Sequence, residues 1–146
     1  NKTYFVLEGC IRSYVFDSVG KEHTLQFALK NNWISDYIAI FNNEKSSQTV
    51  ECIADSTVVE TSVSEGIENI FLRFPKIESI HRKNLERNIV SLQKRILNQL
   101  RLTSSDRYKI FLKQYPEIEK YALNYHIASY LGITQQSLSR IRASYK

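Results

Sequence analysis

Residues 124–141 read NYHIASYLGITQQSLSRI, and they satisfy the requirements of two short helices that cross closely. Ile127 and Leu131 fall on one face of a first helix, and the small Ala128 leaves room for a second helix to cross. Gly132 stands in the turn, where a left-handed backbone is cheap for a residue without Cβ. Ile133 anchors that turn, Thr134 is a good N-cap, and Leu138 and Ile141 form the inner face of the second helix. Helical hairpins often carry one or two of these features. The whole set at these offsets specifies a helix-turn-helix, with a purely structural hairpin as the alternative.

With Leu138 and Ile141 inward, Gln135, Gln136, Ser139 and Arg140 turn outward, with Ala143 further along the same face. The N-terminal end of such a second helix enters the major groove, which makes Gln135, Gln136 and Arg140 the expected base contacts. Arg140 suits guanine O6 and N7, and a glutamine suits adenine N6 and N7. Thr134 and Ser137 are placed for phosphate at the helix start, and Asn124 caps the first helix and reaches the DNA backbone. A solvated helix start is the plainer reading of Gln135 and Gln136.

Upstream, Thr103-Ser104-Ser105-Asp106 is a cap signature for a helix over 106–114 that ends before Pro116. Two helices follow, over 124–131 and from Gln135 to Tyr145. Before that unit, His81, Leu85, Ile89, Leu92, Ile96 and Leu100 recur at helical spacing, with Ile77 and Ile80 leading in. Arg82, Lys83, Arg87, Lys94 and Arg95 occupy the other faces. The apolar stripe packs either on its own β-unit or on the same helix of a second subunit.

The front half reads as short strands. Tyr4–Leu7, Cys10–Phe16 and Lys21–Leu29 are separated by Gly9 and by Asp17-Ser18-Val19-Gly20, with Leu25, Phe27 and Leu29 expected on one face. Two more strands are expected at 48–54 and 57–63, and the polar segment 42–47 is expected as an exposed loop. This spacing predicts an antiparallel sandwich or roll.

Across 146 residues, hydrophobic side chains make up 42% and charged ones 24%, which is globular composition. Residues 1–75 carry six basic and ten acidic side chains, a net −4; residues 76–146 carry fourteen and five, a net +9. An acidic front and a basic back point to two units, the back one facing a polyanion. No apolar run approaches a membrane span and no signal peptide opens the chain; with only Cys10 and Cys52, a cytoplasmic setting fits. The three histidines, His23, His81 and His126, lie one in each region and are read as structural rather than as metal ligands. Neither a nucleophile–base set nor a glycine-rich phosphate loop is present, so an enzyme is not expected.

The stretch HIASYLGITQQSLSRIR, preceded by FLKQYPEIEKY, resembles the C-terminal domain of Crp/Fnr-type transcription regulators. YFVLEGCIRSYVFDSVGKEHTLQFAL resembles the central strands of that family's cyclic-nucleotide-binding β-roll, and the Ile77–Leu100 stripe stands where its dimerisation helix lies. The resemblance implies an α+β fold: an antiparallel, jelly-roll-like β-roll over 1–75, a long dimerisation helix over 76–102, and a small winged-helix or helix-turn-helix domain over 103–146. It implies a homodimer that reads an inverted repeat in double-stranded DNA, a small-molecule effector and RNA polymerase as partners. It also places Gln135, Gln136 and Arg140 on base-reading positions and Thr134 on a phosphate position. The family's roll has further strands before such a Tyr-Phe-Val-Leu segment, and the chain contains no methionine, so a preceding N-terminal portion is expected.

The departures concern the effector. The family's cAMP cassette is Gly-Glu followed by a loop ending in Arg-Ser, whose arginine meets the cyclic phosphate. The matching region here is Trp33-Ile34-Ser35-Asp36-Tyr37, then Glu44-Lys45-Ser46-Ser47-Gln48-Thr49, which keeps an acid at Asp36 but has neither the glycine nor the arginine. The expectation is therefore a roll that does not bind cAMP and either takes a different small ligand near Trp33, Asp36 and Tyr37 or serves only as a dimer scaffold; plain core or loop residues are the blander reading of those three. Two cysteines cannot supply an iron–sulfur cluster, and no resident cofactor is expected. A sensor or dimer scaffold that acts through protein contacts, without DNA, is the competing function.

Overall fold

A computed structural model describes residues 2–63 and 66–144. Six strands, β1 (Lys2–Glu8), β2 (Ile11–Phe16), β3 (Glu22–Ala28), β4 (Trp33–Ser35), β5 (Thr49–Cys52) and β6 (Thr57–Ser62), form two antiparallel sheets. Their orders are β4-β1-β6 and β3-β2-β5. The sheets enclose Val6, Ile11, Ala28 and Ile34, with Tyr4, Val50 and Val58 at the margin. Gly9 makes the first turn possible: its φ is +88°, and a Cβ there would lie 2.3 Å from the Asp55 carbonyl oxygen.

The strands stand where the sequence puts them, but one face is corrected. A bulge between Ser13 and Tyr14 of β2 pairs Ser13 with Gln26 and Tyr14 with Thr24, leaving Leu25 as the extra residue. Side-chain alternation is broken there, so Phe27 shares its face with Thr24 and not with Leu25. Four elements were not expected: the short strand β4, helix α1 (Tyr37–Asn42), helix α2 (Ile67–Arg73) and a 3-10 turn over Ile118–Lys120.

Helix α3 (Pro75–Arg101) begins with proline at its first turn, where the missing N–H costs nothing. Its 27 residues extend about 40 Å. The side turned to the roll is polar apart from Leu85. His81, Asn84, Leu85, Asn88, Ser91, Arg95 and Asn98 are half-buried at helical spacing, whereas Ile89, Leu92, Ile96 and Leu100 are 54–77% exposed.

Helix α4 (Ser104–Gln114) starts two residues earlier than expected, because Thr103 is the N-cap and its Oγ1 accepts from the Asp106 N–H at 3.2 Å. A short 3-10 turn (Ile118–Lys120) leads to α5 (Asn124–Leu131) and α6 (Gln135–Ala143). Tyr145, the expected end of α6, lies outside the described residues. Among the described residues no strand follows Ser62, so the helix-turn-helix unit is helical throughout as far as Ser144.

This helical unit shares a core with the second sheet. Phe27 of β3 lies 5.5–5.9 Å, ring centre to ring centre, from Phe111, Tyr115 and Tyr130. Ile118, Ile127 and Leu138 complete the same cluster. The Ser129 hydroxyl caps the open edge of β3, accepting from the Thr24 N–H at 2.8 Å and donating to the Glu22 carbonyl at 2.9 Å.

Candidate nucleic-acid interface

The turn between α5 and α6 is built from the residues the sequence singled out. Gly132 takes a left-handed φ of 68° at the end of α5, and its N–H bonds to the carbonyls of Ala128 and Ser129. Thr134 caps α6, its Oγ1 accepting from the Ser137 N–H at 3.1 Å. Ile127, Ala128, Leu131 and Leu138 are buried, and Ile133 and Ile141 pack against them.

That burial leaves Thr134, Gln135, Gln136, Ser139 and Arg140 exposed on one continuous face, with Ser137 half-buried at its margin. The guanidinium of Arg140 touches only the Ser137 hydroxyl, at 3.4 Å, and no carboxylate opposes it among the described residues. Asn124 is exposed at the first turn of α5, but the cap itself is Leu123, whose N–H is accepted by His126 Nδ1 at 3.3 Å. The Asn124 side-chain oxygen accepts from Arg142. Arg142 also donates to Tyr108 Oη at 3.0 Å and pairs with Glu119 at 2.6 Å, so it braces α6 against α4.

Sequence reasoning missed the residues that hold this unit on the roll. Arg12 on β2 is wholly buried, ion-paired with Glu22 and Glu51, bonded to Thr24 Oγ1 at 3.1 Å and stacked on Tyr14 at 4.2 Å. Its guanidinium also lies 5.6 Å from the Tyr125 ring of α5. Arg95 stands on a face of α3 other than the apolar stripe, as the sequence has it, but no sequence signal gives it a partner. It donates to the carbonyls of Leu25 at 2.7 Å and Tyr130 at 3.1 Å, and stacks on the Tyr130 ring. Only the stacking of distant segments identifies either residue.

The three expected effector residues separate. Trp33 and Tyr37 line a cavity of about 460 Å³ between the roll and α3, where the Tyr37 hydroxyl accepts from Asn84 at 3.0 Å and Asn88 at 3.3 Å. Ser13 borders the same cavity, and its buried hydroxyl has no hydrogen-bond partner among the described residues. Asp36 lies in a neighbouring cavity of about 240 Å³ and caps α1, accepting from the Ala39 N–H, the Ser47 N–H and the hydroxyls of Ser46 and Ser47. Burial raises its carboxyl pKa, but these hydrogen bonds outweigh it and hold the group below its ordinary value.

His81 packs among Phe41, Phe71 and Tyr37, and His126 is buried beneath Tyr125. Desolvation lowers both pKa values, assisted at His126 by the Arg12 charge. Among the described residues no group of histidine, cysteine or carboxylate side chains could hold a metal. Folded protein therefore binds fewer protons at these two histidines than unfolded protein does, and stability falls as pH drops below their ordinary value of 6.5. Urea midpoints should decline from about pH 7 to about pH 5.5, and His126→Asn with His81→Phe should flatten that decline.

No protein-family model and no curated protein matches the chain. Among solved structures it is similar to a CooA mutant from Carboxydothermus hydrogenoformans, over 99% of this chain and 66% of that one, with 19% identity and a TM-score of 0.72. It is similar to a CRP/FNR-family transcriptional regulator from Thermus thermophilus, over 99% and 74%, with 16% identity and a TM-score of 0.75. FixK2 from Bradyrhizobium japonicum gives 98% and 73%, with 19% identity and a TM-score of 0.72. The protein therefore has the Crp/Fnr-type fold, with its roll, long helix and helix-turn-helix in that order. No helix is long and apolar enough to cross a membrane among the described residues.

Proposed function

We propose that the chain is a sequence-specific, DNA-binding transcription regulator of Crp/Fnr type, acting as a cytoplasmic homodimer rather than as an enzyme. The observation that carries this is the outward face of α6, where Gln135, Gln136 and Arg140 stand free above a buried Leu138. They contact base edges, while Thr134, Ser137 and Asn124 contact phosphates. The exposed Ile89-Leu92-Ile96-Leu100 stripe supports the dimer, since the roll already occupies the polar side of α3. Two copies then read an inverted repeat whose half-sites are about one helical turn apart. The roll side of the cavity at Trp33 and Tyr37 receives the effector. That effector is not cAMP: the Asp36 carboxylate is committed to capping α1, and the 44–49 loop offers no arginine. RNA polymerase is the downstream partner.

Selection from random duplex DNA at near-physiological salt, with and without cAMP, tests the reading. Enrichment of a two-fold symmetric site, indifferent to cAMP, is expected; failure to enrich any site favours the sensor that acts without DNA. On the selected site, Arg140→Ala should cost about 1–3 kcal/mol and relax specificity at one base pair. Equal weakening on every sequence would reassign Arg140 to a phosphate.

A further inference from the structure

A cavity of about 630 Å³ opens between α3, α4 and the end of α5. Five cations border it: Arg87, Lys94 and Arg95 from α3, and Arg107 and Lys113 from α4. Its single carboxylate, Glu86, is already paired with Arg82 at 2.7 Å. None of the five cations meets a carboxylate among the described residues. Among the described residues Arg95 is spent on backbone carbonyls, and Arg107 reaches only the Ser104 hydroxyl at 3.1 Å, leaving its buried Nε without a hydrogen-bond partner there. Val90, Ile110, Phe111 and Leu131 supply an apolar lining between these charges.

Like charges gathered around a partly enclosed apolar space repel one another, and an anion relieves that repulsion more strongly there than in open water. The volume is that of a small-molecule site. Arg87 and Arg95 also border the cavity beneath Trp33 and Tyr37, but Lys94, Arg107 and Lys113 belong to this one alone of the two. Lys94 follows Leu92 by two residues, roughly 200° around the helix, so the cavity stays open when the apolar stripe is covered by a second copy.

We propose that this cavity binds a small amphipathic polyanion, an apolar body on Phe111 and Leu131 with two or more anionic groups on Lys94, Arg107 and Lys113. Bound there, the ligand ties α3 to α4 across the Leu102–Thr103 junction and fixes the direction of the helix-turn-helix. Calorimetric titration of the chain with ATP, adenosine and inorganic triphosphate separates the contributions of body and charge. ATP is expected to bind, with adenosine and triphosphate each at least about tenfold weaker. Lys94→Gln with Lys113→Gln, two exposed positions whose loss leaves the core intact, should weaken ATP by about tenfold or more. Lys76→Gln with Lys83→Gln removes the same charge outside the cavity and should leave ATP binding unchanged. Absence of ATP binding, triphosphate binding as tightly as ATP, or equal losses in the two double variants would each overturn the proposal. The titration contains no DNA, so its outcome is independent of the regulator reading.

Discussion

Phe27→Ala should lower the unfolding free energy by about 3–5 kcal/mol, the range for an aromatic ring deleted from a packed core. Phe27 is 1% exposed and stands between the second sheet and helices α4 and α5, touching Phe111 and Tyr115 of the α4 segment and Tyr130 of α5. Alanine removes the ring that these side chains pack around, and none can fill the space without giving up its contacts with the others. Phe111 and Tyr130 already pack with ring centres 5.1 Å apart, and the Tyr130 ring also carries the Arg95 guanidinium. The site therefore collapses poorly, which places the expected loss toward the upper part of the range. Phe16→Ala provides the comparison: Phe16 is 57% exposed, and its replacement should stay within about 0.5 kcal/mol. Urea unfolding of both variants measures the difference through the midpoint at constant slope. A Phe27→Ala loss no larger than that of Phe16→Ala would mean that the helical unit does not rest on this sheet.

The helix-turn-helix was legible because its requirements are local. A small residue at the crossing, a glycine in the turn and a threonine cap all fall within 18 residues, and each acts through its own backbone or its nearest helix neighbour. The long helix was legible in the same way, from period alone. Which of its faces met the roll was not. The apolar stripe gave two options, and beyond His81 and Leu85 the structure turns a row of asparagine, serine and arginine toward the roll instead. Hydrophobic periodicity finds the apolar face of a helix; it does not say that the nearest neighbour covers it.

The misread details share a cause. Leu25, Phe27 and Leu29 alternate in the sequence, but a bulge on the β2–β3 pair inserts one residue and exchanges the faces. Strand β4 has three residues, too few for alternation to register, and α2 has neither a side-chain cap nor a buried side chain. Asp36 was read for its charge, whereas it serves as the cap of an unexpected helix. In each case the deciding partner lies on another segment, as the Ser46–Ser47 loop does for Asp36.

Arg12 is the extreme instance, and truncating it should destabilise the protein by about 3–5 kcal/mol. A basic residue in a strand of alternating pattern reads as solvent-facing, yet Arg12 is wholly buried, because β3 and β5 flank it with Glu22 and Glu51 and α5 closes over the group. Burying a guanidinium costs several kcal/mol, and the two carboxylates, Thr24 Oγ1 and the Tyr14 ring offset that cost without a large surplus. Arg12→Ala removes the cation but leaves two carboxylates facing each other across the space it filled. Their side chains are 29% and 35% exposed, so water reaches them and the expected loss falls near the lower end of the range. Arg12→Met with Glu22→Gln and Glu51→Gln removes charge and countercharge together at similar volume and should recover most of the stability. Urea unfolding of the single and triple variants tests this directly. If the triple variant is as unstable as Arg12→Ala, neither filling the volume nor removing the countercharge suffices, and the guanidinium's own hydrogen bonds and ring contact are what matter at this position. Recovery would mean that the ion cluster contributes little net free energy to the fold, even though it meets α5 directly, with Arg12 5.6 Å from the Tyr125 ring and Glu51 3.8 Å from His126.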